Sequence, residues 1–334
     1  SKGAQLSHRN LVAHTMQTKE WFKPLFTEGL QEQMITALPL YHIFALAVNG
    51  ILMFSIGAKS ILITNPRDMP AFIKELKKHP FTLMTGVNTL FNGLLNQPNI
   101  KEVDFSHLKG SIGGGMAVQR SVAEKWKKLT GGPLVEGYGL SETSPVLSVN
   151  PLDGTERIGT IGMPTPSTDM KIMDEDGKEM PLGEPGEICG KGPQVMSGYW
   201  KKPELNETTF FKGDWFRTGD VGVQDADGFF KIVDRIKDMI NVSGFNVYPN
   251  EIEDVIAGMD KVLEVAVIGI PDEKSTEVVK AFVVKKDESL TEQEVIDYCK
   301  ENLTAYKCPK AVSFEKELPK SNVGKIIRRH LRER

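Results

Sequence analysis

Glycines set beside hydroxyls, carboxylates and lysines recur in several short stretches of this chain. In Glu136-Gly137-Tyr138-Gly139-Leu140-Ser141-Glu142-Thr143 the glycines permit a tight loop and a close backbone approach to a ligand. Tyr138 offers a flat face for a base, while Ser141 and Glu142 bring the oxygen ligands that suit phosphates and Mg²⁺. Gly113-Gly114-Gly115-Met116 is a second place where backbone can approach a flat ligand. In Trp215-Phe216-Arg217-Thr218-Gly219-Asp220 the aspartate can accept both hydroxyls of a ribose. Arg235, in Asp234-Arg235-Ile236-Lys237-Asp238, carries a fork of donors for phosphate or ribose. Lys325 follows Gly324 in a turn-rich segment, where a lysine can reach a neighbouring site. At its ordinary pKa of about 10.4 it is charged at neutral pH without tuning. His42 follows Leu38-Pro39-Leu40-Tyr41. Taken singly, each stretch also reads as a glycine turn, a solvated charge run, a surface lysine or a structural histidine.

The elements that must position these residues change in texture along the chain. Residues 34–38, 60–64, 81–85 and 134–136 are apolar runs that read as buried strands. Residues 71–79, 89–96 and 119–129 read as helices between them, the last with Val122, Ala123 and Trp126 on its apolar face. Strand–helix alternation implies crossovers and a mostly parallel sheet, with ligands at the carboxyl ends of its strands. From about Pro151 the turn pairs Asp176-Gly177, Pro185-Gly186 and Asp227-Gly228 separate short strands at 187–190 and 229–233. That pattern is a β-rich subdomain of hairpins. Beyond Asp234, a helix at 250–259 capped by Asn250, strands at 265–270 and 281–284, and a Thr291–Glu294 capping box suggest a small α/β domain. The expected division is therefore 1–150, 151–234 and 235–334. The charged junction lacks glycine and proline and reads as a defined hinge rather than a flexible tether.

Composition narrows the classes. The 334 residues carry a formal charge of −3, so no global field recruits nucleic acid. Residues 45–56 are the longest apolar candidate, too short and too interrupted to span a membrane. Cys189, Cys299 and Cys308 lack metal-ligand spacing and read as small buried hydrophobes in a reducing, cytoplasmic setting. The chain has neither an initiator Met nor a signal-peptide pattern.

Together, in this order and spacing, the stretches resemble the adenylate-forming superfamily of acyl-CoA synthetases, luciferases and adenylation domains. The resemblance covers essentially the whole chain. It is strongest to bacterial long-chain fatty acid–CoA ligases, through Val242-Ser243-Gly244-Phe245-Asn246-Val247-Tyr248-Pro249-Asn250-Glu251 and Leu318-Pro319-Lys320-Ser321-Asn322-Val323-Gly324-Lys325. It implies an α/β fold: a mostly parallel sheet and a β-rich subdomain within a large domain, then a small mobile C-terminal domain. It implies ATP, Mg²⁺ and coenzyme A, with a fatty acid activated to acyl-AMP and then transferred to the CoA thiol. By this resemblance Tyr138, Gly139, Gly113, Gly114 and Gly115 line the adenine pocket. Ser141 contacts phosphate and Glu142 holds Mg²⁺. Asp220 and Arg235 bind the ribose. His42 lies near the acyl carboxylate, and Lys325 bridges carboxylate and α-phosphate. Lys237 is the hinge, and Ser243, Gly244 and Phe245 face CoA.

Ser1-Lys2-Gly3 is then the end of the family's phosphate loop, with an N-terminal portion expected before it and Lys2 on phosphate. Three other readings stay open: a ligase for another acid, a non-catalytic module, and nucleic-acid binding by the basic tail from Lys320. The tail lacks interleaved aromatics and reads instead as a solvated terminal helix near anionic lipid. The sequence leaves peripheral membrane contact and a homodimer open.

Overall fold

The structure, a computed structural model, describes residues 2–333. The chain forms two compact units. The first comprises the chain up to Val118, Val122–Thr218 and Gly222–Ile232; the second comprises Gln119–Ser121, Gly219–Val221 and the chain from Val233.

The first unit is built on a seven-stranded sheet. Its strands are β1 (Gln33–Thr36), β2 (Lys59–Leu62), β3 (Leu83–Gly86), β4 (Gly110–Gly113), β5 (Leu134–Gly139), β6 (Val146–Val149) and β7 (Met163–Pro164), in spatial order β2-β1-β3-β4-β5-β6-β7. Pairing is parallel from β2 through β5 and antiparallel from β5 through β7. The mostly parallel sheet expected from strand–helix alternation is present. Strands β3 and β4 are buried at every residue, as strands covered on both faces must be. Helices α3 (Met69–Leu76), α4 (Asn88–Leu95) and α5 (Arg120–Thr130) fall where apolar periodicity placed them. Helix α5 buries Val122, Ala123 and Trp126, and the Trp126 ring meets Phe91 edge-on at 4.8 Å.

Three features depart from the sequence reading. Helix α1 (His8–Phe22) went unread because its buried face carries His14, Gln17 and Thr18, with Phe22 at its end, rather than an apolar stripe. Its start is nonetheless marked by a reciprocal cap between Ser7 and Asn10. Residues Ala45–Leu52 form a π-helix running into the single turn α2 (Met53–Ser55). There Asn49 is wholly buried and bonds Thr36 and Thr85. Strand β5 continues through Gly137, Tyr138 and Gly139, which the sequence placed in a loop, because those residues pair with β6.

The β-rich stretch supplies β8 (Asp169–Met173), β9 (Gly186–Lys191), β10 (Phe210–Phe211), β11 (Trp215–Gln224) and β12 (Phe230–Arg235), with helix α6 (Pro203–Thr209). Its order is β10-β11-β9-β8, with β12 on β11.

In the second unit, β13 (Ile240–Val242), β14 (Phe245–Val247), β15 (Val262–Asp272), β16 (Thr276–Lys285) and β17 (Ala311–Glu315) form a sheet. Helices α7 (Pro249–Ala257) and α8 (Glu292–Asn302) bury Ile252, Ile256, Val295 and Cys299 in one core with the strands. The expected Thr291–Glu294 capping box opens α8. Asn250 is not the cap of α7. Pro249 at the first helical position moves the cap to Tyr248, and Asn250 spends its amide on Arg328 and Val233 instead. The terminal helix α9 (Arg328–Arg332) is not simply solvated, since Leu331 sits in a core with Phe282 and Leu318.

Candidate active site

In the first unit the N-terminal segment is zipped against residues 197–200. Gln5 N–H donates to Gly198 O at 2.9 Å, Trp200 N–H to Gly3 O at 2.9 Å, and Ala4 bridges Tyr199. That pairing sets Lys2 beside Tyr199. The Lys2 ammonium donates to the Tyr199 phenol oxygen at 2.5 Å, and the phenol donates to Glu142 Oε1 at 2.7 Å. Lys2 lies 3.9 Å from the same carboxylate oxygen. Burial, followed by the bond to Glu142, pushes the Tyr199 phenol above its ordinary pKa. Glu142 stands on a single turn, Ser141–Thr143, whose backbone is tied to the 193–196 segment by Met196 N–H donating to Glu142 O at 2.8 Å. Ser141 is exposed on that turn. Two residues predicted to meet phosphate and metal, Lys2 and Glu142, are thus brought together. Tyr199 between them escaped the sequence reading; the run Gly198-Tyr199-Trp200, aromatics after a glycine, was the available signal.

The glycines serve the chain's own packing first. A Cβ on Gly139 would lie 1.8 Å from Pro145 O, so the close backbone approach there is to the loop that follows. A Cβ on Gly113 would meet Val118, and one on Gly114 would meet Phe44 and the carbonyl of Gly137, so the two glycine stretches abut. Gly115 turns the chain at φ +77°. Tyr138 is 7% exposed and its ring belongs to a core with Leu147, Ile188 and Phe230. His42 precedes the π-helix; its Nδ1 accepts from Phe44 N–H at 3.3 Å. Ser1 lies outside the described residues.

In the second unit Asp220, Arg235 and Lys325 share one electrostatic environment. Arg235 Nε pairs with the buried carboxylate of Asp220 at 3.3 Å. Lys325 sits in a turn closed by Ser321 N–H donating to Lys325 O at 2.8 Å and Gly324 N–H to Ser321 O at 3.0 Å. Burial, then the positive charge of Arg235, lowers the Lys325 ammonium to about 8, against the partial support of Asp220. At about 8 the ammonium still keeps the charge at neutral pH that the sequence reading asks of it, with a smaller margin than an ordinary lysine has.

Three residues on, Arg328 is the hub of a buried ion network that sequence did not reveal. It forks onto Glu253 at 2.8 and 2.9 Å, bonds Asn250 Oδ1 at 2.8 Å, and lies 3.6 Å from both Asp234 and Asp238. Burial raises the carboxyls of Asp234 and Glu253 despite Arg328. Lys237 occupies the turn Ile236–Asp238, exposed between buried Asp234 and Asp238. Ser243 and Gly244, with φ of +53° and +86°, make the two-residue turn joining β13 to β14. Beside it the exposed Phe245 ring stacks on Tyr306 at 4.9 Å.

Among the described residues no group of three His, Cys, Asp or Glu side chains is placed to hold a metal. A lone carboxylate such as Glu142 suits Mg²⁺ that keeps water and substrate phosphates as its other ligands. The three cysteines are free and buried, and burial pushes the thiols of Cys189 and Cys299 up to about 12 and raises that of Cys308, which favours the protonated thiol. No described helix is long and apolar enough to cross a membrane.

Residues 1–200 match the family model described as AMP-binding enzyme, and residues 251–325 match the AMP-binding enzyme C-terminal domain. A long-chain-fatty-acid–CoA ligase of Escherichia coli O6:H1 is 56% identical over all of this chain. Its counterpart in Bacillus subtilis is 42% identical over 99% of the chain. The chain spans 59% of the length of each of these relatives. Among solved structures, ATP-bound MatB from Rhodopseudomonas palustris superposes with a TM-score of 0.91 at 34% identity, over 100% of this chain and 65% of that one.

Proposed function

This chain belongs to the AMP-binding enzyme family, and from that premise we propose that it acts in a long-chain fatty acid–CoA ligase. The reaction has two steps. A fatty acid carboxylate attacks the α-phosphate of ATP, expelling pyrophosphate and giving acyl-AMP; the thiol of CoA then attacks the acyl carbon and expels AMP. The observation that carries the reading is the pairing of Arg235 with Asp220 at 3.3 Å, with Lys325, from a third stretch, feeling the charge of both. The long-chain acid is suggested by the relatives' names.

In this reading Asp220 and Arg235 hold the ribose, and Lys325 supplies positive charge where negative charge spreads during adenylation. Lys2 and Ser141 meet the phosphates, and Glu142 anchors Mg²⁺. The bound ion would supply further neutralisation of phosphate charge. Tyr138 and the glycines at 113, 114, 115 and 139 border the adenine; His42 lies by the carboxylate; Ser243, Gly244 and Phe245 receive the pantetheine arm. Lys237 is the hinge within a division at residues 150 and 234. Peripheral membrane contact and self-association belong to the same reading.

The test is acid-dependent exchange of labelled pyrophosphate into ATP by the full-length protein. Medium-chain, long-chain and aromatic acids are offered separately. Exchange strongest with long-chain acids is expected. Preference for an aromatic acid would replace the substrate assignment, and no exchange with any acid would overturn the ligase reading.

A further inference from the structure

Tyr199 has no part in the reaction as read above, yet it stands between two residues that do. Lys2 and Glu142 are 3.9 Å apart, too far for a hydrogen bond, and the Tyr199 hydroxyl fills the gap with bonds of 2.5 and 2.7 Å. Donors and acceptors run one way. An ammonium has only protons to give, so the phenol oxygen accepts from Lys2 and commits its single proton to Glu142. Lys2 also lies over the ring, 4.1 Å from its centroid.

The frame around the hydroxyl is stiff. Tyr199 N–H donates to Asn206 Oδ1 at 2.7 Å, and the side chain is 6% exposed among Met196 and Phe216. Gly198 at φ +144° lets Asn206 close against the backbone, where a Cβ would lie 2.8 Å from its amide nitrogen. The hydroxyl is therefore fixed on a rigid ring, while the two charged side chains it touches have more rotatable bonds of their own. A carboxylate pinned through one oxygen presents the other in a defined direction.

We propose that Tyr199 is a positioning residue for the nucleotide step: it aims Glu142 at the metal–phosphate group and holds Lys2 where the phosphates arrive. This rests on the phosphate and Mg²⁺ roles read for Lys2 and Glu142. It makes a distinction that packing alone does not. Acyl-AMP has lost the β- and γ-phosphates, so thioester formation from it has no need of this arrangement.

The test compares Tyr199→Phe with Glu142→Gln in the full-length protein. Phe keeps the ring and removes only the hydroxyl; melting temperature checks the fold. Calorimetric titration of ATP with and without Mg²⁺ reads binding apart from turnover. Tyr199→Phe should weaken the Mg²⁺-dependent part of ATP affinity and the adenylation rate by about 10- to 100-fold, the usual cost of losing a partner of a metal ligand. Thioester formation from supplied acyl-AMP should stay within about twofold. Unchanged Mg²⁺ dependence in Tyr199→Phe, or equal loss in both half-reactions, overturns the positioning role. Unchanged Mg²⁺ dependence in Glu142→Gln overturns the reading of Glu142 itself, and the two failures are told apart by which variant is silent.

Discussion

At the scale of single residues, Lys325 has the most to say about conditions. Its ammonium is charged below its pKa, and its surroundings bring that pKa from 10.5 to about 8. The proposed role needs the charged form. Adenylation should therefore hold steady from neutral pH and fall as pH rises through about 8, a decline an ordinary lysine would postpone by more than two pH units. Thioester formation from supplied acyl-AMP should lack that limb. A pH profile of the two half-reactions checks this; an alkaline limb near 10, or one shared by both steps, would remove Lys325 from the role. Arg328 shows the complementary case. Burial opposes its charge too, but the carboxylates of Glu253, Asp234 and Asp238 outweigh it, so its environment supports the ion where that of Lys325 opposes it.

At the scale of elements, the two steps of the proposed reaction make competing demands on space. A lysine must be in place for the attack on phosphorus, and a pantetheine arm must enter for the attack on carbon. A few residues that absorb a large φ/ψ change can reconcile them. The turn Ile236–Asp238 is a good place, since Asp234 and Asp238 are anchored to Arg328 and Arg332 while Lys237 is exposed. Lys237→Pro fixes φ near roughly −65° and removes a donor. It should slow thioester formation far more than adenylation. Rapid-quench measurement of each half-reaction decides it, and equal slowing of both would discard the hinge.

At the scale of the molecule, the second unit carries a core of its own. Ile240, Val247, Ile252, Val265, Val283 and Val295 belong to a hydrophobic cluster whose members all come from residue 240 onward. Its buried Arg328 network likewise closes on residues 234 to 253. A fragment of residues 233–334 should fold by itself and unfold in one cooperative step, as small domains do. Circular dichroism and dispersed amide NMR signals would show this. A fragment that melts without cooperativity would mean that the unit depends on the rest of the chain.

Sequence alone determined the sheet-and-helix order, because apolar runs and amphipathic periods are local signals that burial enforces. It also marked the stretches bearing Glu142, Asp220, Arg235, Lys237 and Lys325, since glycine turns with charged residues are visible in a few letters. It missed α1, where polar His14, Gln17 and Thr18 take the buried face, and it misjudged Asn250, whose amide answers to a residue 78 positions away. Only the tertiary structure decided that Tyr199 joins Lys2 to Glu142 across 197 and 57 residues. Only it showed that desolvation and the positive charge of Arg235 act on Lys325 to lower its pKa. Both depend on which distant side chains share a small volume of low dielectric, and no local pattern of residues encodes that.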